Sequence, residues 1–224
     1  MMPDFFCRFY REGFRVVRLF LGLFLYAFGI VMTLRANLGY SPWDVFHQGL
    51  GLHLGITLGI ASILVGLAIV SITVFMKEKI GVGTLCNMVF IGVFIDVIMS
   101  RNWIPLMHGF VAGLVMMFGG LFVIGLATVF YMGAGYGAGP RDSLMVVITK
   151  RTGKPVGLCR CCLEGTVLFI GWLLGGYAGW GTLISALGIG VAVQVVFSIL
   201  RFDVKAIHQE SFFETWQRLR KIAC

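Results

Sequence analysis

Charge is what this sequence has least of. Only 12% of its 224 residues are Asp, Glu, Lys or Arg, and 58% are hydrophobic; a soluble domain carries about 25% charged residues. With so little polar surface the chain cannot face water all round, which excludes a soluble enzyme or regulator. Proline is scarce as well, 5 residues against 31 glycines, so the glycine does not mark a disordered linker; in membrane helices small residues let backbones approach closely. Histidine is rare, and His47, His53 and His108 lack metal-ligand spacing, so no metal is expected. No Gly-Lys-Ser/Thr phosphate loop occurs, and Gly135-x-Gly137-x-x-Pro140 has no strand–turn–helix context, so no nucleotide cofactor is expected and any ATP drive must come from another subunit. Without a nucleophile–base or metal constellation the chain does not read as an enzyme.

What is present is apolar sequence in span-sized runs, with a mean hydropathy of +0.93. Stretches at roughly 16–34, 56–76, 82–99, 108–132, 155–176 and 182–200 each suffice to cross a bilayer. The first lacks a small-x-small cleavage signature and reads as a retained helix. Lysine and arginine alternate around these spans. Arg8, Arg11, Arg15 and Arg18 precede the first; Arg35 alone follows it; Lys77 and Lys79 follow the second; Arg101 follows the third. Arg141, Lys150, Arg151 and Lys154 follow the fourth, none separates the fifth from the sixth, and the tail is basic again. The positive-inside rule then puts both termini and Lys150 in the cytoplasm, with His47 and Arg101 outside. The net charge of +8 therefore reads as topology and contact with anionic lipid headgroups; no basic folded module points to nucleic acid.

Residues 1–15 read as a basic-aromatic cytoplasmic arm, with Phe5, Phe6, Phe9 and Phe14 available to the headgroup layer. Residues 201–224 read as an amphipathic tail in which Phe212, Trp216 and Leu219 recur at helical spacing. Cys7, Cys159, Cys161 and Cys224 fall on the reducing side, and Cys159-Arg160-Cys161-Cys162 lacks a second ligand cluster for zinc.

A shift of 98 residues lays the chain on itself. Gly39-Tyr40-Ser41-Pro42-Trp43-Asp44 falls on Gly137-Ala138-Gly139-Pro140-Arg141-Asp142, and Gly81-Val82-Gly83-Thr84-Leu85 on Gly179-Trp180-Gly181-Thr182-Leu183. Each unit, 16–99 and 100–200, holds three spans. An odd number turns the second copy over, giving an all-α membrane fold with a 3+3 inverted repeat, a signature of secondary transporters and some channels. Residues 42–53 and 140–152 are too short to cross and read as half-helices entering from opposite faces, Ser41 capping the first in a near capping box with Asp44. Two helix N-termini would then line a path, although the same motifs could equally cap helices at the surface.

Pathway candidates follow from this reading: Pro42, Trp43 and Asp44 in one motif, Pro140, Arg141 and Asp142 in the other. Arg160 and Glu164 stand one turn apart in the fifth span, with Glu164 about 13 Å along a helix that starts at Pro155. Thr84 and Thr182 follow Gly-x-Gly at helix starts, where N-capping is the favoured role. Asn87 pairs by the repeat with Ser185, as interhelical hydrogen-bond partners, and Asp96 with Gln194.

The paired motifs Gly39-Tyr40-Ser41-Pro42-Trp43-Asp44-Val45 and Gly137-Ala138-Gly139-Pro140-Arg141-Asp142-Ser143 resemble those of the YczE/YyaS/YitT group of bacterial membrane proteins, over roughly residues 16–200. The resemblance implies a multi-pass protein of the bacterial cytoplasmic membrane, with no substrate attached. Paired half-helices are also similar to those of aquaporins, but neither half has Asn-Pro-Ala, and two carboxylates replace the amides. The expected function is a small secondary transporter or channel for a small solute, with its site near the midplane. The alternative is a non-transporting accessory or substrate-binding subunit of a larger transporter, or a membrane regulator. The expected partners are the bilayer, the solute, and either a second copy or a membrane subunit.

Overall fold

The computed structural model describes residues 2–203 and 207–223, without the side chains of residues 2–9, 11, 219 and 221–223. The expected contributions of Phe5, Phe6, Cys7, Arg8, Phe9, Arg11, Lys205, Leu219, Lys221 and Cys224 therefore lie outside the described residues and side chains. The described residues form nine helices and no strand: α1 Met2–Arg35, α2 Pro42–Leu54, α3 Leu58–Phe75, α4 Val82–Ser100, α5 Phe110–Gly133, α6 Pro140–Thr152, α7 Val156–Leu173, α8 Trp180–Ile199 and α9 Phe212–Ala223.

Six of them are long and apolar enough to cross a membrane: Glu12–Arg35 within α1, then α3, α4, α5, α7 and α8. Helices α2 and α6 have 13 residues each, about 20 Å of helix against a hydrocarbon core of about 30 Å. Proline at the first turn and glycine at the C-cap bound both; Gly55 and Gly153 sit at φ 66° and 64°, which stops the helix without Cβ strain. From Met2 on, the residues expected as a cytoplasmic arm share one helix with the first span, because α1 runs unbroken for 34 residues; no glycine or proline in 10–20 supplies a stop except Gly13, which a helix tolerates.

The core is the crossing of α1 and α5. A Cβ on Gly29 would lie 2.9 Å from the Gly120 carbonyl oxygen, and one on Gly22 2.6 Å from the Tyr131 nitrogen. These glycines let the helices close until Leu23, Ala27, Ile30, Val31, Ile124 and Tyr131 pack into one buried cluster with Ile91 and Ile95 of α4. Lipid supplies no hydrophobic drive, so this contact depends on fit.

The spans share two ends. Glu12, Arg15, the α5–α6 loop and α9 lie together at one, joined by Arg15 to Ala134 and Arg218 to Glu12. Arg35, Asn102 and Met107 meet at the other. Helix α6 finishes at the first end, where Lys150 bonds Glu78 at 2.7 Å. Helix α2 runs towards the second, where Gly49 packs on Gly171 and Leu174 near the finish of α7.

Two loop crossings lock the assembly. The Gly181 N–H donates to the Leu38 carbonyl at 2.7 Å, and the Gly83 N–H to the Tyr136 carbonyl at 2.8 Å; donors and acceptors are each 98 residues apart. Gly39 and Gly137 both sit at φ +116°. A Cβ there would lie 2.5 Å from the Gly179 nitrogen or 2.8 Å from the Gly81 Cα. Gly39→Ala and Gly137→Ala should therefore each cost about 1–3 kcal/mol in backbone strain alone, read as a lower melting temperature in detergent. A wild-type melt for either would show that the loop relaxes freely.

Candidate functional site

A cavity of about 130 Å³ opens where the N-termini of α2 and α6 meet. Both helices begin Pro-x-Asp, so each presents unbonded first-turn N–H groups and the positive end of its dipole to this space. Ser41, Pro42 and Trp43 form one wall, and Gly139, Pro140, Arg141 and Asp142 the wall opposite. The two meet directly: the Arg141 guanidinium lies 4.8 Å from the centre of the Trp43 ring, a cation–π contact. Helix α7 adds Arg160 and Glu164, bonded Nε to Oε1 at 2.8 Å, while α4 and α8 add Asn87 and Ser185.

Every carboxylate of the site has a partner. Glu164 has Arg160. Asp142 accepts from the Tyr131 hydroxyl at 3.2 Å. Asp44 is 2% exposed and lies behind the cavity wall, accepting from the Ser41 hydroxyl at 2.5 Å. This corrects the capping box: the Ser41 side chain caps no backbone N–H and is spent on Asp44. Arg141 differs, being the cavity's one cation without an ion-pair partner among the described residues. A guanidinium inside an apolar bundle needs an anion, water or an aromatic face; here the Trp43 ring is in contact, while the Asp44 and Asp142 carboxylates are near enough to feel the charge without bonding it.

His47, expected only to lie on the outer side without ligand spacing, is 1% exposed on α2 and lines the cavity. Its Nδ1 lies 3.6 Å from Asp44 Oδ1, beyond a hydrogen bond, and neither atom has another partner. Buried polar atoms are normally satisfied, so this pair is an exception beside the cavity.

Of the residues expected in a pathway, Pro42, Trp43, Pro140, Arg141, Asp142, Arg160, Glu164 and Asn87 line the cavity. Thr84 and Thr182 sit at the loop crossings instead: the Thr84 hydroxyl donates to the Ala138 carbonyl at 2.5 Å, and Thr182 Oγ1 accepts from the Gly179 N–H at 3.0 Å. The Ser185 hydroxyl bonds the Thr182 carbonyl of its own helix, so it is not spent on Asn87. Asp96 is placed elsewhere. It accepts from the Thr57 hydroxyl and the Gly59 N–H at 2.5 and 2.9 Å, tying α4 to the N-terminus of α3. Tyr26, Tyr131, Ser62 and His47 are cavity residues that sequence reasoning passed over; only His47, one helical turn from Asp44, carried a spacing signal.

The model of a family of unknown function (DUF6198) matches residues 13–198. An uncharacterized membrane protein YczE of Bacillus subtilis is 42% identical over 83% of each chain. An uncharacterized protein of Haemophilus influenzae is 31% identical over 81% of this chain and 83% of its own. An uncharacterized protein YyaS of Bacillus subtilis is 26% identical over 80% of this chain and 90% of its own. No solved structure matches.

Proposed function

We propose that this chain, which belongs to the DUF6198 family and is a multi-pass membrane protein, is a small secondary transporter or channel whose solute site is the cavity between α2 and α6. The observation that carries the reading is Arg141: an ionic side chain bonded to no carboxylate among the described residues, facing a cavity at two converging helix N-termini. The reading includes a 3+3 inverted repeat with two re-entrant half-helices. It is supported by helices α2/α6 and α3/α7 that begin and end 98 residues apart, by the paired loop crossings, and by half-helices that finish at opposite ends. Alternating access would be a rocking of one unit on the other about the α1–α5 contact.

Uptake into proteoliposomes of radiolabelled methanesulfonate, octanesulfonate, betaine and glycerol tests the reading. At least one should enter faster than into empty liposomes. No uptake of any, together with a co-purifying ATPase, would favour an accessory subunit. Glu164 is the proposed coupling carboxylate, since Gly66 holds its place in the first unit and the pair with Arg160 is therefore asymmetric. Glu164→Gln should erase the response of uptake to an imposed proton gradient; an unchanged response would leave Glu164 as a structural partner of Arg160.

Orientation has its own test. Arg15, Arg18, Lys79, Lys150 and Arg218 lie toward the end that holds the described parts of both termini, which supports placing that end in the cytoplasm of a bacterial cell membrane. Phe212, Phe213 and Trp216 are exposed there, whereas Thr215 of the same helix is buried, and the three aromatic rings suit the headgroup layer. A cysteine replacing Asn102 in a cysteine-free variant should react with an impermeant thiol reagent outside intact cells, and one replacing Lys150 only after lysis. The reverse pattern would invert the assignment.

A further inference from the structure

The polar cavity is not closed. Trp43, Val65, Ile69 and Leu163 line it and also line a second space, an apolar crevice of about 760 Å³ between α2, α3, α6 and α7. Phe46, Leu50, Leu64, Ile72, Ile148 and Leu158 are among the further residues of the crevice wall. Leu64, Ile72 and Leu158 are 43%, 49% and 51% exposed, so the crevice opens sideways between spans, to the hydrocarbon layer rather than to water. A hydrophilic solute gains nothing from such an annex.

We propose that the solute is a single-chain amphiphile with an anionic head: the head sits on Arg141 in the cavity, and the chain lies in the crevice. The proposal rests on the cavity being the solute site and adds the substrate class. Three observations carry it. The spaces share walls, and Trp43 serves both, presenting its ring to the Arg141 guanidinium while lining the crevice. The head space of about 130 Å³ is ample for a compact head such as a carboxylate or sulfonate, since about 10–15 Å³ by the same kind of measure admits one water. A donor is also free for the head: Arg160 is bonded to Glu164 and the Asp142 carboxylate accepts from Tyr131, whereas Arg141, near Asp44 and Asp142 but bonded to neither, keeps its N–H groups for an anion beside the two helix N-termini. Entry is lateral, so the chain need not leave hydrocarbon while the head passes Trp43.

The test uses the full chain in lipid nanodiscs and a palmitate analogue bearing a diazirine and an alkyne, with labelled residues mapped by mass spectrometry. Labelling should saturate, fall on crevice residues of α3, α6 and α7, and be displaced by unlabelled palmitate and by hexadecanesulfonate. Hexadecanol should displace at least about tenfold less well, and Arg141→Gln should raise the half-displacing palmitate concentration by about tenfold or more, as expected for loss of a charge-assisted bond. Arg141→Lys should recover part of it. Ile148→Trp, which fills the crevice and leaves Arg141 in place, should remove the labelling. Displacement by hexadecanol as well as by palmitate overturns the proposal, since the anion is then not read. So does unsaturable labelling spread over all six spans, which is bulk lipid. Displacement by acetate as well as by palmitate also overturns it, and leaves a small-solute site standing. Saturable palmitate binding in a protein that passes no solute would instead sink the transport reading alone.

Discussion

Replacing Arg141 by glutamine should abolish solute passage and leave the protein folded. The two halves of that expectation have one cause. Arg141 forms no ion pair among the described residues, and Asp44 and Asp142, which feel its charge, keep their hydroxyl donors Ser41 and Tyr131 when it is removed; the change forfeits a cation–π contact with Trp43 at 4.8 Å, worth about 0.5–2 kcal/mol. A bound anion, by contrast, would lose its only unpaired guanidinium in a low-dielectric site, about 1.5–3 kcal/mol for a hydrogen bond to a charged group, or one to two orders of magnitude in affinity. Arg160→Gln is the control with the opposite signature. It leaves Glu164 without its 2.8 Å partner, so stability should fall together with activity. Proteoliposome uptake and thermal melts of both variants separate the roles. Passage by Arg141→Gln at the wild-type rate would remove Arg141 from the site.

The helices and the motifs that bring Arg141 here were legible because each has a local cause. Span-length apolar runs define α3, α4, α5, α7 and α8 to within a few residues, and Pro42, Pro140, Gly55 and Gly153 bound the short helices α2 and α6 through backbone geometry that a single residue dictates. The meeting of Trp43 with Arg141 was legible only through the 98-residue shift, which pairs the motifs without saying that they touch. Partner choice was not legible. Ser41 could cap a backbone N–H or bond Asp44, and the choice falls to burial: Asp44 at 2% exposure needs the hydroxyl more. Asp96 looked like a charge in a span for the same reason. Nothing local to it says that the N-terminus of α3, 37 residues away in sequence, is its ligand. Tyr131, His47 and the apolar crevice depend on how four helices pack, which periodicity does not encode.

The tail shows the same limit and carries the largest expected loss of stability, at Glu12. Glu12 is 8% exposed, and its carboxylate accepts from Arg218 at 2.8 Å and the Tyr136 hydroxyl at 3.2 Å, with Arg15 at 3.4 Å. The guanidinium groups of Arg15 and Arg218 sit 4.7 and 5.5 Å from the Tyr136 ring centre. Glu12→Ala would leave two cations on one tyrosine with Glu210 as their remaining carboxylate. The expected cost is about 3 kcal/mol, the low end for a broken buried pair because Glu210 stays. A cycle through Arg218→Ala should give a coupling of about 1–3 kcal/mol, measured by denaturation in detergent; additivity would mean that the tail merely rests on the bundle. The network also has a pH signature. Burial first, and then the neighbouring Glu12 carboxylate, push the Tyr136 hydroxyl from 10.0 up to about 12. The fold therefore prefers the neutral phenol: that contribution is complete below pH 10.0 and is lost as pH rises to about 12. Tyr136→Phe should flatten the decline over that window, and an equally steep decline would place the alkaline sensitivity elsewhere. The clamp reaches the site through the backbone. The Glu210 N–H donates to the Gly135 carbonyl at 2.9 Å, and Gln209 Oε1 accepts from the Gly137 N–H at 3.1 Å, two residues before the N-cap of α6 and four before Arg141. Glu12→Ala should accordingly slow Arg141-dependent passage even at temperatures where the protein stays folded, because the segment that aims the guanidinium has lost its anchor.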